Sequence, residues 1–216
     1  MAKKSNRNTR GRIVSAAWKL FYEQGYEDTT VEEIIELSGT SKGSFYHYFD
    51  GKDALLSTLS SLFDEKYEEL TGLLTPEMTA MEQLLFLNRE LFHMIEDSIS
   101  LDLLARLYST QLTTNGEKHL LDHNRIYYKL LRKIIAKGQA EGQLSSRSNV
   151  NEMVKLYALC ERALLYDWCL CAGEYALTEY SAKVLPGFLS SFLPLFNRTF
   201  ILLSVKLSIC AISFTE

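Results

Sequence analysis

The sequence predicts an all-α protein with a small N-terminal unit and a larger helical remainder. Apolar residues recur at helical spacing along most of the 216 residues, and no segment alternates apolar and polar residues for long. No Asn-Gly or Asp-Gly pair lies between two β-branched runs where a hairpin would turn, and three prolines leave long segments free to be helical. A composition of 47% hydrophobic and 23% charged residues is that of a chain able to bury a core, which excludes general disorder.

The elements follow in order. Ile13, Ala16, Ala17, Leu20 and Phe21 form one face of an amphipathic helix that Gly25 ends. Thr30-Val31-Glu32-Glu33 is a capping box opening a second helix with Val31, Ile34 and Ile35 inward, and Gly39 supplies its left-handed stop. A third helix starts at Ser41 and buries Phe45 and Phe49, while Lys42, Ser44 and His47 point elsewhere. A fourth is expected from Lys52 to residue 71 on the stripe Leu55, Leu59, Leu62, Phe63, Tyr67 and Leu70. Later helices are expected at about 80–97, 100–112, 117–141, 149–172 and 178–196. Residues 153–172 and 184–196 carry more apolar surface than one core-facing stripe needs, so residues 150–196 are expected to form a homodimer interface that includes Leu189 and Phe192.

Charge separates the ends of the chain. Residues 1–12 hold Lys3, Lys4, Arg7, Arg10 and Arg12 with no acid, whereas residues 53–216 carry 15 basic against 20 acidic residues, so a polyanion is expected to meet the N-terminal end. A charged N-terminus without an apolar segment points to a cytoplasmic address, and residues 199–214 are too short and too interrupted by Lys206 to span a membrane. Cys160, Cys169, Cys171 and Cys210 read as reduced cysteines in apolar surroundings. His119 and His123 share a spacing of four, but no third ligand accompanies them and a solvated face is expected, with no metal site and no cofactor. Gly39-Thr40-Ser41-Lys42-Gly43 matches the G-x-S-x-G pattern of a hydrolase elbow. An elbow needs a buried strand before its serine, and residues 30–38 have helical period with three glutamates, so no enzymatic activity and no catalytic residue is expected.

A basic arm, a supporting helix, a capped helix, a tight glycine turn and a short helix rich in small donors make a helix-turn-helix module over about residues 30–49. Ser, Thr, Lys and helix N-terminal amides donate to phosphates, and Gly43 allows close backbone approach, so the third helix suits a major groove. Residues 10–56, with "RIVSAAWKLFYEQGY", "TTVEEI", "SGTSKGSFYHYF" and "GKDALL", resemble the N-terminal DNA-binding domain of TetR-type transcriptional regulators. The resemblance implies DNA contacts from Thr30, Ser41, Lys42, Gly43, Ser44, Tyr46, His47 and Lys52. It also implies a homodimer on a palindromic double-stranded operator, and repression relieved by a small-molecule effector. Thr40 departs from the family, which usually has a small apolar residue there.

The expected domains are residues 1–52 for DNA binding, 53–198 for effector binding and dimerisation, and a 199–216 tail of unassigned role. Tyr108, Gln111, Tyr157, Tyr166 and Trp168 could line the effector cavity. The alternative is a helix-turn-helix regulator with no effector, controlled by a protein partner; a filled second domain would favour it.

Overall fold

A computed structural model describes residues 2–113 and 118–194, with side chains from Thr9 onward. The described residues form ten α-helices: α1 (Ala2–Gln24), α2 (Val31–Ser38), α3 (Lys42–Tyr48), α4 (Lys52–Leu56), α5 (Leu59–Thr71), α6 (Ala80–Ser98), α7 (Leu101–Thr113), α8 (Ile126–Ala140), α9 (Val150–Leu170) and α10 (Leu177–Leu189). The expected tail at 199–216 and Cys210 lie outside the described residues. Packing divides the chain into two compact units. The first takes the described residues through Phe63 together with Ser98–Asp122, and the second takes Asp64–Asp97 with the described residues from His123. Helix α7 and the first turn of α5 therefore belong with the N-terminal helices, a larger grouping than residues 1–52.

In the first unit the core is built from Ile13, Ala17, Phe21, Tyr26, Ile34, Phe45, Leu55 and Leu59, each nearly or wholly buried. Helix α1 packs on both α2 and α3. Residues 2–12 continue α1 toward the N-terminus, so the basic segment is helical in backbone. Gly25, at φ 88°, ends α1 in the left-handed region, as the sequence predicts.

The expected single helix over 52–71 is broken. Ser57 closes α4, and Ser57, Thr58 and Ser60 turn their hydroxyls back onto the carbonyls of Ala54, Leu55 and Ser57 at 2.7, 2.6 and 2.6 Å. These local bonds compete with the helical ladder, and the apolar stripe continues across the break because α5 resumes within two residues. The helix expected at 117–141 is also shorter. α8 starts at Ile126, after a 3-10 turn at His119–Leu121, because Lys118 donates to the Gln111 carbonyl at 2.6 Å and Leu120 N donates to Gln111 Oε1 at 3.2 Å, folding the chain onto the end of α7. His119 and His123 thus share no helix.

In the second unit α8 and α10 both pack on α9. Gly138 marks one close approach: a Cβ there would stand 2.5 Å from Ala80 Cβ and 2.9 Å from Leu144 Cδ1. The interior is not wholly apolar. Glu161 is 4% exposed and accepts from Asn88 Nδ2 at 2.9 Å and from the Tyr127 hydroxyl at 2.6 Å, and the Ser181 hydroxyl donates to Asn88 Oδ1 at 2.5 Å. Burial pushes the Glu161 carboxyl up, with these donors and Tyr157 opposing the shift. α10 ends at Leu189 and a 3-10 turn, Ser190–Phe192, follows it, so the helix expected to residue 196 stops early. Leu189 and Phe192 are buried within the protomer, at 0% and 2% exposure, and cannot be interface residues. The outward apolar residues are instead Leu159, Tyr166 and Leu170 of α9 and Tyr180 of α10.

Candidate nucleic-acid interface

Short-range chemistry builds the helix-turn-helix. Thr30 caps α2 with its side chain accepting from Glu33 N at 3.2 Å, while Glu33 Oε2 accepts from Thr30 N at 2.7 Å and from the Thr30 hydroxyl at 2.8 Å. These bonds hold the Glu33 carboxyl below the usual range. Gly39 stops α2 at φ 59°, and Ser41 caps α3, its hydroxyl accepting from Ser44 N at 3.1 Å. Ser41 thus follows a helix and a tight turn, which removes the strand that a hydrolase elbow requires. Thr40, the departure from the family pattern, shares a hydrogen bond of 2.8 Å with the Ser38 hydroxyl, so its polarity is satisfied inside the turn.

Phe45 is fully buried and Phe49 nearly so, which anchors one side of α3 and leaves Lys42, Gly43, Tyr46 and His47 exposed on the other. Ser44 is half-buried, held by the Ser41 hydroxyl at 2.9 Å. Lys42 reaches only Glu32, at 3.5 Å, with both side chains about 70% exposed, a pairing that solvent screens. Gly43 has a helical backbone, and a Cβ there would meet only Ser41 Oγ at 4.0 Å. An exposed helical glycine costs about 1 kcal/mol against alanine, and nothing inside the protein repays that cost. The α3 surface is therefore small, donor-rich and open, able to admit a phosphate or a groove wall.

Three basic residues of the N-terminal end are engaged within the fold: Arg10, whose Cζ lies 5.3 Å from the centre of the Phe49 ring, Arg12 and Lys52. Arg12 donates through Nε to the Ser38 carbonyl at 2.9 Å and through Nη2 to the Ser38 and Gly39 carbonyls, closing the C-terminus of α2. Lys52 donates to the carbonyls of Tyr26, Glu27 and Thr29, the last at 2.8 Å, so its ammonium holds the α1–α2 loop from α4. Tyr26, 4% exposed, donates its hydroxyl to Asp53; burial and that carboxylate push the phenol up, so it keeps its proton. The side chains of Lys3, Lys4 and Arg7 lie outside the described residues. Sequence reasoning placed Arg12 in the basic arm by its charge and Lys52 at the DNA through the family resemblance, and missed Tyr26.

The five effector-cavity candidates fall in two different units. Tyr108 and Gln111 belong to the first unit, the other three to the second. Gln111 closes α7 as described. Tyr157 is fully buried and donates to the Leu84 carbonyl at 2.8 Å, Trp168 donates to the Tyr175 carbonyl at 2.9 Å, and Tyr166 is exposed. A cavity of about 630 Å³ in the second unit is lined by other residues. Met78, Leu85, Phe86, Ala182 and Pro186 supply apolar wall, Asn88, Thr178 and Ser181 polar groups, and Glu77, Glu82 and Arg89 charge. Its signal in the sequence was Glu161, a carboxylate on the buried stripe of an apolar helix, which binds Asn88 from behind the wall. Cys160, Cys169 and Cys171 are free and half-buried; burial pushes the Cys160 and Cys169 thiols up to about 11, which makes them poor nucleophiles and metal ligands. No group of three metal-ligating side chains occurs among the described residues, and none of their helices is long and apolar enough to cross a membrane.

Residues 13–59 match the family model described as bacterial regulatory proteins, tetR family. The chain is 39% identical over 56 residues to an uncharacterized HTH-type transcriptional regulator in the lacX 3′ region of Lactococcus lactis subsp. lactis, a match covering 26% of this chain and 29% of that relative. The chain spans about a third or less of the length of this relative and of two others, YuxN of Bacillus subtilis and QacR of Staphylococcus aureus. Two solved structures share the fold over nearly the whole chain. FadR of Bacillus subtilis, in complex with stearoyl-CoA, is 23% identical with a TM-score of 0.63, covering 85% of this chain and 99% of that one. Thermus thermophilus FadR, in complex with lauroyl-CoA, is 24% identical with a TM-score of 0.66, covering 86% and 95%. The match over α1 to α4 makes residues 13–59 a DNA-binding domain of the kind found in the tetR family of bacterial regulatory proteins, and the two solved structures show that the rest of the chain shares their all-helical fold.

Proposed function

We propose that the protein is a sequence-specific DNA-binding repressor that leaves its operator when a small apolar effector binds the second unit. The observation that carries this reading is the outward face of α3, where Lys42, Gly43, Tyr46 and His47 are exposed and Gly43 serves no internal packing. Ser41, Ser44 and Thr30 add the helix N-termini that donate to phosphates; Lys52 contributes by holding the loop before α2. One such module reads only a few base pairs. A homodimer on a palindrome would set two of them about 34–36 Å apart, in successive major grooves. The exposed apolar residues Leu159, Tyr166, Leu170 and Tyr180 within 150–196 are the surface such a dimer would cover. Work on chromosomal DNA puts the protein in the cytoplasm.

The cavity beside α6 and α10 is the favoured effector site in place of the aromatic set. Its volume suits a small ligand, and its apolar wall suits an acyl chain like those carried by the ligands of the two FadR structures. Glu77 and Glu82 at the same cavity disfavour a phosphate-rich head there.

The test is a titration of duplex DNA selected by the wild-type chain from a randomised pool. Lys42→Ala should weaken binding and flatten the dependence of log affinity on log salt by about 0.9, one phosphate's share. Unchanged affinity would remove α3 from the groove, and a wild-type chain that selects no sequence would end the reading.

A further inference from the structure

We infer that Arg106 of α7 is a positioning residue for DNA binding: through Tyr26 and Glu27 it holds the loop that sets the angle of α2 and α3. The inference rests on the reading above that this unit grips duplex DNA. The loop of residues 25–29 runs directly into the Thr30 cap, so its path fixes where the helix-turn-helix begins. It has two handles. One comes from α4: Lys52 Nζ binds three loop carbonyls and lies 4.2 Å from the centre of the Tyr26 ring, and Asp53 accepts the Tyr26 hydroxyl.

The other handle comes from α7, some eighty residues along the chain. Arg106 Cζ lies 4.9 Å from the same ring centre, and Arg106 Nη2 meets Glu27 Oε1 at 2.5 Å. Asp102, one helical turn earlier, holds the guanidinium through Nε at 2.8 Å and keeps it in that orientation. α7 also packs on α4, so both handles rest on one pair of helices. A guanidinium is suited to this place because its plane can lie over a ring while its edge, with donors in a fixed fork, meets two carboxylates. A displacement of α7 by one turn would take Arg106 from both Tyr26 and Glu27 and leave the loop with the Lys52 handle alone. α7 therefore controls the entry to α2 without touching DNA.

The test compares Arg106→Ala and Arg106→Lys with the wild-type full chain in two measurements. Amide hydrogen exchange over residues 26–33 reads the loop directly, and titration of the selected duplex at several salt concentrations reads DNA binding. Arg106→Ala should speed exchange in that segment and weaken duplex affinity, each by about fivefold or more, with the salt slope unchanged because Arg106 meets no phosphate. Arg106→Lys should recover part of both. Unchanged exchange overturns the inference, as does faster exchange with unchanged affinity, which would make the contact structural only. A salt slope reduced by about 0.9 also overturns it, since Arg106 would then be a phosphate contact itself. Failure of the wild-type chain to select any duplex would end the DNA reading by itself, and the exchange result would still decide whether Arg106 holds the loop.

Discussion

The two units place their polar chemistry differently. In the first, polar groups work at the edges of the core: the Thr30 and Ser41 side chains and the Gly39 backbone fix helix ends, while Arg12, Lys52 and Arg106 fasten backbone carbonyls or a ring from outside. In the second, Asn88, Tyr127, Tyr157, Glu161 and Ser181 form a polar cluster inside the core, beside a cavity. Edge fastenings can be released one at a time in water at modest cost. A buried cluster is satisfied as a whole or not at all, which makes the second unit the place where a single change does most harm.

The sharpest break should come from Glu161→Ala. It leaves the Asn88 amide and the Tyr127 hydroxyl buried without their acceptor, and should cost about 3 kcal/mol or more in chemical denaturation. pH gives the same comparison a sign. Because the folded pKa of Glu161 is raised, the folded state holds a proton that the unfolded chain releases, so this group makes stability fall as pH rises above the ordinary carboxylate range of about 4.3. Glu161→Gln should remove that slope. Glu33 works in the opposite direction: its lowered pKa makes its capping contribution present at neutral pH and lost as pH falls through the folded value.

Glycines extend the contrast. Gly138→Ala should destabilise the second unit by about 1–3 kcal/mol, because the added methyl would enter the contact with Ala80 and Leu144. Thr30→Ala should cost the first unit about 1 kcal/mol through loss of the α2 cap, read as a lower midpoint in the same denaturation. The smallest stability change, and one of opposite sign, belongs to Gly43→Ala. An exposed helical site with room for the methyl should gain up to about 1 kcal/mol while affinity for the selected duplex falls. A stabilised variant with undiminished affinity would return Gly43 to the scaffold and blur the contrast.

Those parts of the fold written in short-range signals were legible. The capping box at Thr30, the stop at Gly39, the start at Ser41 and the burial of Phe45 and Phe49 each depend on residues within four positions of one another. What escaped depends on distance or on competition. Apolar spacing ran unbroken from Leu55 to Leu70, so it concealed the hydroxyl back-bonding that separates α4 from α5. Lys52 looked like a free cation because its carbonyl partners lie more than twenty residues away. The aromatic set expected at an effector cavity does not line the cavity of the second unit, since buried tyrosines and tryptophans in a helical core have the same sequence signature as cavity walls. Leu189 and Phe192 were misjudged for a related reason: an apolar excess says that a helix is covered on several sides without saying by what.

The outward face of α3 also bears on how such a protein can change over generations. Lys42, Gly43, Tyr46 and His47 take no part in capping α3 or in filling the core, which rests on Phe45 and Phe49. Substitutions at these four positions should cost little in folding, so if this face reads DNA as proposed, a lineage can sample new operator sequences there while Thr30, Gly39 and Ser41 keep the scaffold unchanged. Duplicated copies could diverge in target through a handful of codons, each intermediate remaining a folded protein.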